Sequence, residues 1–470
     1  MAQDLNSGYF IEDYKYRHDM NPAFGNDQGY AAIPVLGNLN ANLQGSLGVG
    51  DLFYANPDYG RVAGAKKTAS FLHPSISADQ VLSNLSKDGN SLILSMDVPI
   101  VSVGFKAFNG YNTIELRERT YMGISLPYEF FQFAKDLRNQ SYSFDGMDVT
   151  TNDYVELGFG HSRQIFDNLR VGAKVKILLG GAYGKVSFDG VHANLQGDQW
   201  VIDGKARAEL SMKGATFKEE TKEYKSKPGT YKQVNDFNVD GAGIGGFGLG
   251  LDLGAAYKFK DCSVDWLNGM QVSLALTDLG YIKWSNTMVA ESSGTPFVFD
   301  GFNNFDVKEG DGKTSFSDKS DEVGDRLVDF AHLENKGDEG GKSHGIGTTM
   351  RLGIEYPLPV YDKLTFGLLG THRFQGDYSW SEARLSANCA PLGWLNGGLN
   401  VAFTSFCTTM GWVLNVHPKG FNIFFGMDHM VGKRGASMVP LDSNVSFNFG
   451  MNITWGGSKK SSKTLNTLTF

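Results

Sequence analysis

The segment Val445–Trp455 alternates without a break. Val445, Phe447, Phe449, Met451, Ile453 and Trp455 fall in one phase, and Ser446, Asn448, Gly450, Asn452 and Thr454 in the other. Successive strand side chains point to opposite faces, so this stretch is apolar on one side and small and polar on the other. Residues 33–49 repeat the pattern, with Asn38, Asn40, Asn42, Gln44 and Ser46 on the polar phase. A soluble sandwich also buries one face, but its strands run to about five or six residues. Several strands here exceed ten. Long strands with a polar second face fit an all-β transmembrane antiparallel β-barrel, apolar toward lipid and polar toward a lumen.

Composition agrees with that class and removes others. No apolar run approaches about eighteen residues, which excludes membrane-spanning helices. The net charge of −8 comes with no basic face, which argues against nucleic acid as a partner. Cys262, Cys389 and Cys407 lack metal spacing, and an odd count builds no full disulfide framework. The nine histidines form no His-x-x-x-His pair, and no Gly-x-Ser-x-Gly elbow occurs. Asp428-His429 is the best dyad, yet adjacent strand residues face opposite sides. Asp311, Asp318, Asp321 and Asp325 lack the spacing of a calcium loop. The expectation is no catalysis, no metal and no cofactor.

Alternation places strands at 33–49, 91–107, 112–124, 152–163, 169–182, 245–260 and 270–284, then at 347–357, 363–374, 378–389, 395–405, 408–417, 420–430 and 443–455. That makes about fourteen, an even number as bacterial barrels require. Asn109-Gly110 marks a tight hairpin. Long excursions fill 50–90, 125–151, 183–244 and 285–346, the third with a hairpin of its own. In the first half long and short connections alternate, so both termini are expected on the periplasmic side of an outer membrane. Helical patterns appear at Ser125–Phe131 and Asp321–Glu334. Trp284, Trp380, Trp394, Trp412 and Trp455 lie near strand ends, as in an interfacial girdle. The chain begins Met1-Ala2-Gln3-Asp4 with no apolar leader, so a removed signal peptide is expected.

Several segments resemble FadL-like outer-membrane barrels. They are Asn21-Pro22-Ala23 within Tyr14–Phe24, Val171–Lys176, Asp252–Tyr257 and Leu276–Tyr281. Taken whole, the chain is similar to an uncharacterised Bacteroidetes family related at a distance to FadL and to the secretion barrel PorV. The resemblance implies fourteen strands, residues 1–30 as an N-terminal plug, and sideways exit of small apolar molecules into the membrane. The organisation expected is plug 1–30, barrel 31–456 and periplasmic tail 457–470. That tail, ending at Phe470, is either an assembly signal or a docking segment.

Strand phase predicts which charges line the lumen. Glu115, Arg117 and Arg119 oppose Ile114 and Leu116. Arg170, Lys174 and Lys176 oppose Val171, Ala173, Val175 and Ile177. Glu382 and Arg384 oppose Ala383 and Leu385. A cation on the lipid face would cost about 2–4 kcal/mol near the midplane, which turns these charges inward. Both signs are present, which favours an internal salt-bridge network over a ligand clamp. Arg17 and Asn21 belong to the expected plug, with Arg17 reaching Glu115 or Glu382.

Two functions follow. One is passive transport of a hydrophobic or amphipathic small molecule, with a lateral gap at Pro99–Val101, where proline removes a ladder donor. The other is a scaffold docking other outer-membrane proteins or lipoproteins through the long excursions. Outer-membrane lipid and lipopolysaccharide are expected partners of either.

Overall fold

Fourteen antiparallel strands close on themselves into a barrel. The computed structural model describes residues 4–456 apart from 63–66, 74, 136–140, 197–198, 224–228, 242, 293–296, 300–332, 362 and 431–443. The first strand, β1, has two halves, Gln28–Ala32 and Leu39–Gly45. Then come β2 (Asn90–Ala107), β3 (Gly110–Leu126), β4 (Met147–Phe166), β5 (Leu169–Gln196), β6 (Gly246–Lys258) and β7 (Gln271–Trp284). The second half holds β8 (Thr348–Pro357), β9 (Leu364–Phe374), β10 (Trp380–Leu392), β11 (Leu395–Thr404), β12 (Thr408–Val416), β13 (Phe421–Met427) and β14 (Val445–Gly456). Each strand pairs with the next. The ring closes where β14 pairs back on β1, Gln28 against Gly456 and Leu43 against Val445. Closure gives edge N–H and C=O groups partners that an open sheet would leave exposed.

Burial follows the sequence alternation. On β14, Ser446, Asn448, Asn452 and Thr454 are buried, while Phe447, Ile453 and Trp455 are exposed. The outward face is apolar elsewhere too, with Leu385, Leu399 and Phe403 all more than half exposed. The β2–β3 turn places Phe108 and Asn109 at φ 56° and 57°. Positive φ at both central residues is the hairpin geometry whose twist matches the flanking strands. Gly110 already belongs to β3, so the turn is shifted by one residue from the expected Asn109-Gly110.

Three expectations are corrected, and a fourth falls mostly outside the described residues. Strand one does not run unbroken from 33 to 49, because residues 33–38 leave the ladder. β5 runs on past 182 to Gln196 and pairs with a returning strand, Gln199–Met212. Trp284 and Trp380 are no part of a girdle. They fall on the inward phase, packed with Tyr154, Leu178 and Tyr183 and with Ile93, Tyr121 and Tyr378 respectively. The helix expected over Asp321–Glu334 falls mostly outside the described residues, and Leu333–Asp338 is a strand paired with Met288–Ser292. The first helical pattern folds as Tyr128–Lys135, directly after Pro127, where a proline starts a helix without losing a bond. The hairpin within 183–244 is Ala215–Glu223 with Thr230–Val239. The tail 457–470 lies outside the described residues.

β14 passes close to the loop that breaks β1. A Cβ on Gly450 would collide with the Gly37 carbonyl and the Phe424 ring. Gly450→Leu is expected to cost about 1–3 kcal/mol through overpacking at the closing seam. The urea midpoint of the folded band on unheated gels measures this loss.

Candidate functional site

The chain before β1 is rich in aromatic side chains, and from Asp4 to Phe24 nearly all of it is buried. Its apolar residues, including Leu5, Tyr9, Phe10, Tyr14, Tyr16 and Phe24, form one cluster with Tyr111, Leu369 and Phe424 of the wall. A 3-10 turn at Asn6–Gly8 would leave backbone amides free at its start. Asp428 takes them, accepting from Asn6 N at 2.8 Å and Ser7 N at 2.7 Å. The Asn6 side chain donates to Glu382, and Arg351 pairs with Asp4 at 3.2 Å.

Farther along, Asn21 Oδ1 accepts from Ala23 N at 3.0 Å, closing a side-chain turn around Pro22. Asn21 Nδ2 donates to the Tyr9 hydroxyl at 3.2 Å. This turn rests on Gly172 of β5 and Gly254 of β6, which are cross-strand partners. A Cβ on Gly172 would strike the Pro22 carbonyl, and one on Gly254 would strike Asn21 Oδ1. The Asn-Pro-Ala segment and two inward glycines therefore form one fit.

Between these anchors lies a buried ionic network. Asp19 accepts from Arg117 at 2.9 Å and from Lys174 at 2.6 Å. Lys174 also pairs with Glu115, and Arg117 with Glu115 and Asp97. Arg119 reaches Asp97, Glu156 and Asp278. Lys176 reaches Asp252 at 2.8 Å and Asp278 at 2.5 Å. Every charged side chain in this set is nearly fully buried. Removing charges from water costs several kcal/mol each, and only close pairing offsets that. His18, Asp19 and Glu115 have ligand atoms within 4.8 Å of one another. The Lys174 ammonium contacts both carboxylates, so a fixed cation stands where a metal ion would have to bind.

The opposite wall is neutral. Asn415 donates to Asn396, Asn422 to Asn415 and Asn452 to Asn422, at 2.8, 2.6 and 3.2 Å. The Tyr16 hydroxyl completes this ladder by donating to Asn452 Oδ1 at 2.6 Å. A cavity of about 10 Å³ lies among Asp4, Asp278, Arg351, Arg373, Tyr121 and Trp380. It has room for about one water.

The structure gathers Glu115, Arg117, Arg119, Lys174 and Lys176 into one network, and Glu382 with Arg384 into a second. Arg17 joins neither. Its Nε donates to the Tyr9 carbonyl, and its guanidinium lies 4.1 Å from the Phe24 ring centroid. The expected ion pair to Glu115 or Glu382 is replaced by one from its neighbour Asp19, because Arg17 turns back onto its own segment. Asp428 and His429 form no dyad. The Asp428 carboxylate is taken up by Asn6 and Ser7, and both His429 ring nitrogens are buried without hydrogen bonds. Asp97, Glu156 and Asp252 are readable from strand phase, since each alternates with apolar neighbours. Asp278 is not, because it sits at φ 63° beside a register shift in the β6–β7 ladder.

The wall bulges at one place without parting: Ile33 N donates to the Met451 carbonyl at 3.1 Å, and Met451 N donates to the Leu36 carbonyl at 2.7 Å. Residues 33–38 of β1 stand opposite just 450–451 of β14. Val35, at φ 67°, donates its amide to the Pro99 carbonyl at 2.8 Å, and Val35 and Leu36 are exposed. Beside this break β2 shifts register between Pro99 and Val101, where the sequence placed a slip. Gly37 of the break packs on the Tyr16 hydroxyl, which ties it to the N-terminal segment.

This geometry is that of a closed barrel whose N-terminal segment is buried against inward-facing residues of the wall. The chain belongs to the family described as a family of unknown function, DUF5723, whose match covers residues 22–428. No curated protein matches it by sequence. Among solved structures it is similar to the Ralstonia pickettii toluene transporter TbuX, with 8% identity, a TM-score of 0.41, and coverage of 97% of this chain and 96% of that one. It is similar to the P. putida toluene transporter TodX at 8% identity and TM-score 0.42, covering 93% and 92%. A Pseudomonas aeruginosa FadL homologue matches at 10% identity and TM-score 0.35, covering 92% and 89%. The barrel assignment rests on the strand register of this chain.

Lys174→Met leaves Asp19 and Glu115 facing each other with one fewer cation. The expected cost is about 3–5 kcal/mol, read from the urea midpoint. Adding Asp19→Asn and Glu115→Gln to Lys174→Met is expected to recover most of it, since no unpaired charge then remains.

Proposed function

We propose that this protein is an outer-membrane barrel for passive passage of a hydrophobic or amphipathic small molecule, with the segment before β1 as its plug and no catalysis of its own. The carrying observation is the break at 33–38. It bulges the ladder on the apolar outward face, where Met451 of β14 and Pro99 of β2 still bond its backbone, beside the β2 irregularity, and it touches Tyr16 of the N-terminal segment. An apolar molecule gains nothing from a lumen lined by paired ions and asparagines. Exit through the side, where Ile33, Val35 and Leu36 lie on the outward wall, avoids that lining. Loops and strands also gather a buried apolar cluster, including Phe71, Phe131, Phe133 and Phe188, a second core that holds the long loops together at the end we read as extracellular. Both termini are then periplasmic.

A second reading, a scaffold that docks other outer-membrane proteins, draws on the hairpin Ala215–Glu223 with Thr230–Val239. It forms a two-stranded sheet of its own, and Phe237 and Val239 are exposed on it. Such a sheet has outer edges that can pair with another chain.

Native mass spectrometry of the particle extracted from membranes separates the two. A lone chain carrying a small apolar molecule supports transport, and stoichiometric protein partners overturn it. Deleting residues 34–37 to mend the ladder is expected to lower flux of an apolar dye into proteoliposomes at least about tenfold, ~1.4 kcal/mol of barrier. Leu399→Arg, on the outward face of β11, is expected to destabilise the bilayer-inserted barrel by about 2–4 kcal/mol. An unchanged urea midpoint in vesicles would show that this face does not meet lipid.

A further inference from the structure

The outward face of β4–β7 carries a groove of about 650 Å³ that the interior does not use. Two cross-strand rows build it. One runs His161, Ala173, Leu253, Leu276, and the other Arg163, Val171, Ala255, Leu274. On the two middle strands Ala173 and Ala255 make the floor beside Val171 and Leu253, and Leu274 and Leu276 of β7 make one bank. Behind the floor, Gly172 and Gly254 face inward against Asn21–Ala23, so the wall here is little thicker than its backbone.

The other bank carries the Arg163 guanidinium and the His161 ring, whose Nδ1 hydrogen-bonds with Asn112 Oδ1 at 2.9 Å. His161 and Arg163 are both exposed on the outward wall. Arg163 lies three residues before Phe166, where β4 ends, about 10 Å from the turn at ~3.4 Å per residue. No hydrogen bond or ion pair engages it among the described residues. Only Ile165 of the same outward row lies between Arg163 and the turn, so the guanidinium stands near the rim of the apolar wall, and its planar fork suits phosphate oxygens. The trough beside it, lined by aliphatic side chains, has the shape and chemistry of an acyl-chain seat.

We propose that this groove binds one phospholipid of the periplasmic leaflet. Its phosphate sits on Arg163 with His161 alongside, and one acyl chain lies over Ala173 and Ala255. The proposal rests on the outward face meeting lipid with the β4–β5 turn on the periplasmic side, and is independent of any transported molecule.

The test uses the full-length barrel in mild detergent, equilibrated with phosphatidylglycerol or with diacylglycerol of the same chains, and read by native mass spectrometry. The wild type is expected to retain one phosphatidylglycerol. Arg163→Gln, and separately Ala255→Phe to fill the trough, should each lower the retained fraction by roughly fivefold or more, about 1 kcal/mol of affinity. Diacylglycerol should be retained as weakly by wild type as phosphatidylglycerol is by Arg163→Gln. Retention unchanged by both substitutions overturns the proposal, as does a dimer, rather than a lipid adduct, that disappears in Ala255→Phe. The folded band on unheated gels shows that each variant has folded. Insertion into vesicles reads the membrane assignment separately, so failure of that assignment is distinguishable from failure of this site.

Discussion

Asp19 places a negative charge on the N-terminal segment where the wall presents Arg117 and Lys174, at 2.9 and 2.6 Å. The arrangement of the interior depends on this contact. Fourteen strands enclose more space than their own side chains fill, and the inner phase of β2–β7 is crowded with ionisable groups. With Asp19 in place, Arg117 and Lys174 share carboxylates from both the wall and the segment. Without it, Lys174 would keep Glu115 alone and share it with Arg117, which also holds Asp97. Pairing is what makes a dry, charged lumen tolerable, and it also selects one seating for the segment.

The remaining contacts sharpen that seating. Asp428 takes the amides of Asn6 and Ser7 at one end, while Gly172 and Gly254 receive the Asn21–Ala23 turn at the other. The asparagine ladder from Asn396 to Asn452 meets Tyr16 on the neutral side. Tyr16 is also the residue against which Gly37 packs, so the N-terminal segment and the bulge in β1 share a side chain. A displacement of the segment would therefore be felt where β1 leaves the ladder. That coupling is a physical reason to connect the interior with the lateral break.

Much of this is legible in the order of residues alone. Two-residue alternation locates all fourteen strands, because a strand with one apolar face has only one phase available to it. The same phase turns Glu115, Arg117, Arg119, Lys174, Lys176, Glu382 and Arg384 inward. It fails where periodicity carries no information. Ile33, Val35, Gly37 and Leu39 keep perfect alternation through a segment that has left the sheet, so the break in β1 is invisible to it. Trp284 and Trp380 stand near strand ends, as girdle residues do, but their phase puts them inside.

What the sequence by itself determined is the wall: strand number, inward and outward faces, and the polarity of each. These are local properties, set by the period of the strand. Only the tertiary structure decided what meets across the lumen. Asp19 and Lys174 are 155 residues apart, and Asn6 and Glu382 are 376 apart. No periodicity relates such positions, because their partnership is created by closing the ring and folding the first residues into it.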